Sequence, residues 1–537
     1  MILVERGPAS SHAPAEPARA GEPAPDVLEF PSARRLGWSL KVHYRNDERS
    51  RFRRLPGGWL YVASPTGLEC FPDLAAIIDN AHFTGLPAAL DALEHMRPAA
   101  FVAYDEQTEE LQFGRSLDGF ASLYFGGELP AIVIGESNFV VARRLGPIRF
   151  SKADEEAYCK NWSPGPEGSF LEGVTRCFAG VRYRLRPNRD SVERCLMAPD
   201  ADLVDQDQAV ILLRDEMRRI CATYGNKRVA LRLSGGVDSR VVLAGLMDAV
   251  REGILRRDQV LLTSVVFPGQ NSDESPEISE VAQRSGFELA AIEVFPEQAA
   301  QGFDRSLQFD APPFPTAFMG LMCVDEARRR GSDVMLSGHG GDEIFDFDLA
   351  DVLGLPLSER LRQLALIRWF RDTRGLVGGV TALAQAVLGR RGLRGLRGTL
   401  CSLALSSQSF GAHRLGRRTA VALGYGYECA AVATARRAMY IDVPLFRIAW
   451  WSHFDSVACR RSYGSSYKAV AWEFIKQTVP DLAVVGARKV TFGATLGALL
   501  PDLRLECDRV DSGLQRSYAT CGAYRAWRTR LEKRGAL

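Results

Sequence analysis

Between Trp38 and about Arg186, apolar and polar residues alternate in short runs bounded by Gly, Pro and Asp: "WSLKVHY", "GWLYVAS", "AFVAYD", "ELQFGRS", "ASLYFGG", "AIVIG", "NFVVARR" and "VRYRLRP". Period-two alternation predicts half-buried strands, so this part reads as a layered domain built on antiparallel sheets. Two stretches of helical spacing, near 70–80 and 86–95, interrupt the strands, and a linker is expected near 188–204. From about 205 the period changes. An amphipathic helix, "QAVILLRDEMRRICATY", precedes a strand at 228–233 and a helix at 239–250. Strand "VLLTSVVF", a helix at 276–285, strand "ELAAIEVF", a helix at 317–330 and strand "DVMLSG" follow. Strands and helices alternating at this spacing imply a parallel sheet covered on both faces, which binds ligands at the carboxyl ends of its strands. Residues 353–435 read as helix-rich, without an assigned order.

Length and composition sharpen this division. At 537 residues the chain exceeds one hydrophobic core. Residues 8–26, "PASSHAPAEPARAGEPAPD", cannot bury enough apolar surface to offset ordering entropy, and residues 1–27 are expected to be a disordered Ala/Pro-rich tail. The expected domains are 28–200 and 205–537. Basic residues number 67 and acidic residues 65, so the net charge of +2 supports no nucleic-acid partner. No window offers the roughly 18 apolar residues of a spanning helix, and "MILVERGPAS" lacks a signal peptide's basic start, so a cytoplasmic location is expected. The cysteines form no C-x-x-C pair, and no histidine stands at zinc-ligand spacing. "LGRRGLRGLRG" at 388–398 interleaves arginine with glycine and reads as a solvated loop or, alternatively, a basic patch for an acidic peptide.

Two glycine-rich segments carry the candidate chemistry. The first, Ser234-Gly235-Gly236-Val237-Asp238-Ser239, breaks the apolar strand "RVALRL" before a helix. A strand-to-helix turn offers backbone N–H groups at the positive end of a helix dipole, and glycines admit close approach of an anion. No G-x-x-x-x-G-K-[ST] loop occurs anywhere in the chain. Instead Asp238 stands inside the anion cradle, where a carboxylate requires a cation between itself and phosphate. Mg²⁺ commonly takes one or two carboxylates together with phosphate oxygens. The second carboxylate, Asp342, arrives in "MLSGHGGDEIF", where another strand ends in Ser337-Gly338-His339-Gly340-Gly341-Asp342.

SGGVDS followed about a hundred residues later by LSGHGGDEIF resembles the synthetase domain of the asparagine synthetase family, the amide-forming ATP pyrophosphatases. Upstream, "GRSLDGFASLYFGG" and "FVVARR" resemble the glutaminase-type domain that precedes it. Downstream, "SSYKAVAWEFIKQTVPDLAVVGARKVTFGA" resembles the family's lysine-bearing segment. The resemblance implies an α/β fold: an amino-terminal glutaminase-like, Ntn-type αββα sandwich lacking its catalytic cysteine, then a parallel-sheet synthetase domain of the PP-loop, adenine-nucleotide α-hydrolase-like class. It implies ATP and Mg²⁺, with the metal on Asp238 and Asp342. ATP or pyrophosphate contacts would come from Leu233, Ser234, Gly235, Gly236, Asp238, Ser239, Val266, Gly338 and Lys468. Lys489 is expected to act on the tetrahedral intermediate. The implied reaction is attack of a carboxylate on the α-phosphate of ATP, then displacement of AMP by an amine.

Departures from the family narrow the expected substrate. Glutamine-hydrolysing members need a cysteine at position 2, where this chain has Ile2, so the amine is expected to come from the substrate. Members lacking that cysteine include β-lactam synthetases and lasso-peptide cyclases. His339 resembles the cyclases, and an imidazole with a pKa of about 6.5 could deprotonate an α-ammonium group. Alternatively, His339 shapes the loop or binds pyrophosphate. Glu428 and Asp442 are candidates, by region alone, for a carboxylate partner of the base. Arg447 stands where an aspartate is usual. The expected function is a macrolactam synthetase acting on a ribosomal peptide beside a leader peptidase and a leader-binding protein. A small-molecule amide synthetase and a non-catalytic nucleotide- or peptide-binding scaffold are the alternatives.

Overall fold

The structure is a computed structural model and describes residues 2–8, 26–30, 38–44, 50–64, 72–94, 100–115, 121–128, 131–161, 164, 167–178, 180–186, 191–196, 206–270, 272–307, 316–341, 345, 440–442, 444–446, 468–486, 493–500 and 515–533. The amino-terminal half contains strands β1 (Ile2–Pro8), β2 (Asp26–Phe30), β3 (Trp38–Tyr44), β4 (Ser50–Leu55) and β5 (Gly58–Ala63) and helix α1 (Pro72–Glu94). Strands β6 (Ala100–Asp105), β7 (Glu110–Arg115), β8 (Tyr124–Gly126) and β9 (Ile132–Gly135) follow. Helices α2 (Asn138–Leu145) and α3 (Lys152–Asn161) and strands β10 (Val174–Arg176), β11 (Val181–Leu185) and β12 (Glu193–Leu196) complete it.

These strands form two six-stranded sheets, ordered β10-β8-β9-β1-β3-β2 and β12-β11-β7-β6-β5-β4, in which all neighbours run antiparallel. Side-chain alternation sets the layers. Trp59 and Tyr61 of β5 meet Ile132 and Ile134 of β9 between the sheets. Leu60 and Val62 point the other way, onto α1, while Val133 packs on Phe139 of α2. The layer order is therefore helix, sheet, sheet, helix. Helix α1 covers both helical stretches expected from sequence, with a kink at Gly85 (φ 80°, ψ 166°) just ahead of Pro87.

Three local expectations are corrected. Residues 2–8, placed in a disordered tail, form β1, hydrogen-bonded to β3 on one side and β9 on the other. A strand with partners on both edges has its backbone polar groups satisfied, an advantage that residues 2–8 do not reveal alone. The rest of that tail through Pro25 lies outside the described residues. "NFVVARR", read as a strand, is helix α2. Its buried residues Asn138, Phe139, Val141 and Ala142 share one helical face, and Arg143 and Arg144 suit the negative carboxyl end. Within the expected linker, β12 pairs with β11 at the sheet edge.

The second half contains α4 (Gln206–Thr223), β13 (Val229–Arg232), α5 (Val237–Arg251), β14 (Val260–Val266), α6 (Ser275–Ser285), β15 (Glu288–Glu293), α7 (Pro296–Ser306), α8 (Ala317–Arg329), β16 (Val334–Ser337) and β17 (Tyr440–Asp442). Helices α9 (Ala469–Thr478), α10 (Pro480–Ala483), α11 (Gly493–Leu499) and α12 (Gln515–Lys533) follow. The five strands form one parallel sheet ordered β15-β14-β13-β16-β17; the βα alternation predicts the first four in chain order, and β17 adds an edge strand that it does not. One face packs on α4, α5 and α9 through Leu231, Leu262 and Leu336. The opposite face packs on α8 through Ala230, Leu261 and Met335. Among the described residues, no helix is long and apolar enough to cross a membrane. The region 353–435 lies outside the description, as does the 388–398 loop.

Candidate active site

The parallel register aligns the carboxyl ends of β13 and β16, because Arg232 pairs with Ser337, while β14, paired at Thr263, runs three residues further to Val266. The two glycine loops, about a hundred residues apart in sequence, therefore leave the sheet side by side. Leu233 is held at this edge, its N–H donating to the Thr263 carbonyl and its own carbonyl accepting from Ser264 Oγ, both at 2.9 Å. Gly236 caps α5, with Asp238 in the first helical turn.

Glycine is sterically required where the second loop meets the first. A Cβ on Gly338 would lie 2.4 Å from the backbone N of Ser239, and one on Gly341 would lie 2.2 Å from Asp238 Cγ. The first clash is with backbone, and the second is with the Asp238 carboxylate itself. Gly340 adopts φ 92°, a left-handed conformation that favours glycine.

Lys468 was expected beside phosphate. Its Nζ donates to both carboxylate oxygens of Asp238, at 2.5 and 2.6 Å. The lysine side chain is 2% exposed and the aspartate 25%, so the charge pair is anchored in protein on one side and open to solvent on the other. Lys468 caps α9 in a left-handed backbone conformation (φ 53°, ψ 44°), uncommon for a side chain of this length. Such geometry persists only where surrounding contacts over-determine it.

The first loop is also braced from within. Ser234 N donates to Ser239 Oγ at 3.1 Å, the two hydroxyls lie 3.1 Å apart, and Gly236 N donates to Ser234 Oγ at 3.3 Å. The Gly235 N–H, expected to face an anion, donates instead to Glu274 Oε2 at 3.0 Å. Glu274 lies in the acidic segment "SDESPE" that follows β14, and only the fold brings it to the loop. Arg240 was missed altogether. Its guanidinium donates to the carbonyls of Gly235 (2.9 Å), Val485 (2.5 Å) and Gly486 (2.5 Å) and lies 6.0 Å from the ring centre of Trp472. Burial pulls its pKa below the ordinary arginine value, and the carboxylates of Glu274, Glu277 and Glu280 oppose that shift.

His339 Nε2 lies 3.5 Å from an Arg232 guanidinium nitrogen. Val266 is buried at the end of β14, and its carbonyl accepts from Val294 N. The structure thus brings Leu233, Ser234, Gly235, Gly236, Asp238, Ser239, Gly338, His339 and Lys468 to one edge of the sheet, with Val266 on the adjoining strand. Asp342 and Lys489 lie outside the described residues, as do Glu428 and Arg447; Asp442 ends β17.

Residues 212–443 match the family model for asparagine synthase. This part of the chain is asparagine synthase-like. The family comprises ATP-dependent amide-forming ligases, and both glycine loops lie within the matched residues. Two solved structures are loosely similar. Glutamine phosphoribosylpyrophosphate amidotransferase from B. subtilis, complexed with ADP and GMP, is 10% identical over 56% of this chain and 67% of that one, at a TM-score of 0.18. An allosteric regulatory enzyme of purine biosynthesis is 12% identical over 51% and 67%, at 0.19. Likenesses this loose bear on neither fold nor function. No curated protein matches the chain.

Proposed function

We propose that this protein is an ATP-dependent macrolactam synthetase. It activates an Asp or Glu side chain of a ribosomal core peptide and joins it to the peptide's amino terminus. The observation that carries the reading is the nesting of the 338–341 loop against the start of α5, around the Asp238–Lys468 pair, within an asparagine synthase-like domain.

In the first step a carboxylate oxygen attacks the α-phosphorus of ATP; the bond to the β-phosphate oxygen breaks, leaving an acyl-adenylate and pyrophosphate. In the second the amine, having lost a proton, attacks the acyl carbon, and AMP leaves. The amino end of α5 and the hydroxyls of Ser234 and Ser239 would hold phosphate charge, because the N–H groups of Ser234, Gly235 and Gly236 already donate within the protein. Asp238, an oxygen donor partly open to solvent, fits a hard divalent cation, with Asp342 as its expected companion. Mg²⁺ there would neutralise charge on the departing pyrophosphate. His339 is the candidate base for the ammonium proton, and Lys489 the candidate charge for the tetrahedral intermediate. A leader peptidase and a leader-binding protein are the expected partners.

Mass spectrometry after incubation with Mg-ATP, the partner proteins and a linear peptide beginning with glycine and bearing a later Asp or Glu tests the reading. AMP, pyrophosphate and a peptide lighter by one water are expected. If AMP forms only with small amino-acid substrates, the ligase chemistry stands and the macrolactam assignment fails. If none forms with any carboxylate, the protein is a scaffold.

A further inference from the structure

Arg240 has no place in the reaction as written, yet it is the most thoroughly enclosed charge beside the site. It is fully buried within α5, one residue past the glycine loop. All three of its hydrogen-bond acceptors are main-chain carbonyls, and they belong to two segments nearly 250 residues apart: Gly235 in the loop, and Val485 and Gly486 after α10. Val485 and Gly486 immediately precede the sequence that reaches Lys489. Glu274 fixes Gly235 from the other side, accepting its N–H while Arg240 takes its carbonyl. Both polar groups of this residue are thus fixed from outside the loop. A lysine cannot replace this fork, because its point charge lacks the planar, divergent donors that reach three carbonyls at once.

We infer that Arg240 is a positioning residue that couples the Ser-Gly-Gly loop to the Val485–Gly486 turn, so that nucleotide bound at the first steadies the second. The inference rests on the ligase reading for its nucleotide and on the three carbonyl bonds for its mechanics. Trp472, whose ring flanks the guanidinium from α9, extends the same coupling to the helix that begins at Lys468.

Hydrogen exchange read by mass spectrometry on the full chain tests this, for the wild type and Arg240→Lys, with and without Mg²⁺ and α,β-methylene-ATP. In the free protein, Arg240→Lys should speed exchange about tenfold in both 234–238 and 482–486, since local opening follows the loss of the bonds that close it. In the wild type the nucleotide should slow exchange in both segments; in the variant it should slow only the first. Arg251→Lys is the control. Arg251 donates to the Thr478 carbonyl from the far end of the same helix, so its loss should leave both segments unchanged. AMP release per folded Arg240→Lys protein should fall about a hundredfold, as displacement of a reacting group by about 1 Å produces, with the KM for ATP shifted far less. Unchanged exchange in both segments of the free variant, or nucleotide protection of 482–486 that survives the substitution, overturns the inference. If nucleotide protects neither segment of the wild type, the ligase reading fails while the free-protein comparison still decides Arg240. Should Arg240→Lys not fold, Arg240→Gln, which removes the buried charge and keeps an amide donor, takes the same measurements.

Discussion

The antiparallel and parallel halves both bury polar side chains, but they close their hydrogen bonds over different distances along the chain. In the first half Asn138 reaches Ser169, Asp154 reaches Ser169 and Phe170, and Tyr61 reaches Glu136. In the second, Lys468 reaches Asp238 across 230 residues and Arg240 reaches Val485 across 245, while Ser272 meets Thr495 across 223. These bonds of the antiparallel half span at most 75 residues, although its strand pairing reaches from β1 to β9. A parallel sheet needs crossovers, and these deliver distant segments to one edge. The candidate site lies where the sheet is parallel, while β8, β9, β10 and α2 of the amino-terminal half share an apolar cluster with α7, α8, α11 and α12.

Substitutions can break this contrast, and the largest effect belongs to the pair at the site. Asp238→Asn should lower AMP release per folded protein by about 10²–10³-fold, the cost of removing one preorganised charge from such a site. Because it takes the counter-charge from a buried ammonium, it should also lower stability by up to about 3–5 kcal/mol, read by urea denaturation. Unimpaired turnover would place the chemistry elsewhere. In the other half, Trp59→Ala should cost about 3–5 kcal/mol as a large cavity opens between the two sheets. Nucleotide affinity of the protein that remains folded should not change; an affinity loss there would show that the antiparallel sheets do support the site.

Gly338→Ala sharpens the comparison where the loops touch. With its Cβ 2.4 Å from Ser239 N, the loops must separate, at about 1–3 kcal/mol of stability by thermal denaturation and with weaker nucleotide binding. The smallest effect is expected at Asp154, whose carboxyl pKa burial raises despite the N–H groups of Ser169 and Phe170 on one of its oxygens. A carboxyl raised in the fold stabilises it most below its ordinary pKa, and this contribution is lost as pH rises through the folded value. Asp154→Asn keeps an oxygen for both N–H groups without the charge. It should therefore gain about 0.5 kcal/mol at pH 7 and nothing at pH 3, in denaturation curves at the two pH values.

Which features were legible before folding follows from how local their causes are. The βα alternation after 205 was readable because each buried strand and each amphipathic helix carries its own period. "NFVVARR" was not, since a short apolar run fits either period, and packing against β8 and β9 decided for the helix. Strand β1 was hidden in a tail for a similar reason: its stability comes from β3 and β9, which follow far along the chain. At the site, both glycine loops were visible from their residues alone. Arg240 was not, because an arginine three residues into a helix reads as a surface charge until the segment that covers it is placed.

Residue order alone thus set the two sheet types, the strand-to-helix turns and the chemistry of Asp238, His339 and the glycine loops, because backbone freedom, side-chain period and ionisable groups are properties of short stretches. Tertiary structure decided who meets whom. It paired Lys468 with Asp238, set Glu274 and Arg240 on either side of Gly235, and pressed Gly338 and Gly341 against the start of α5. These are contacts between segments whose proximity exists only once the parallel crossovers have closed and the sheet has aligned its strand ends.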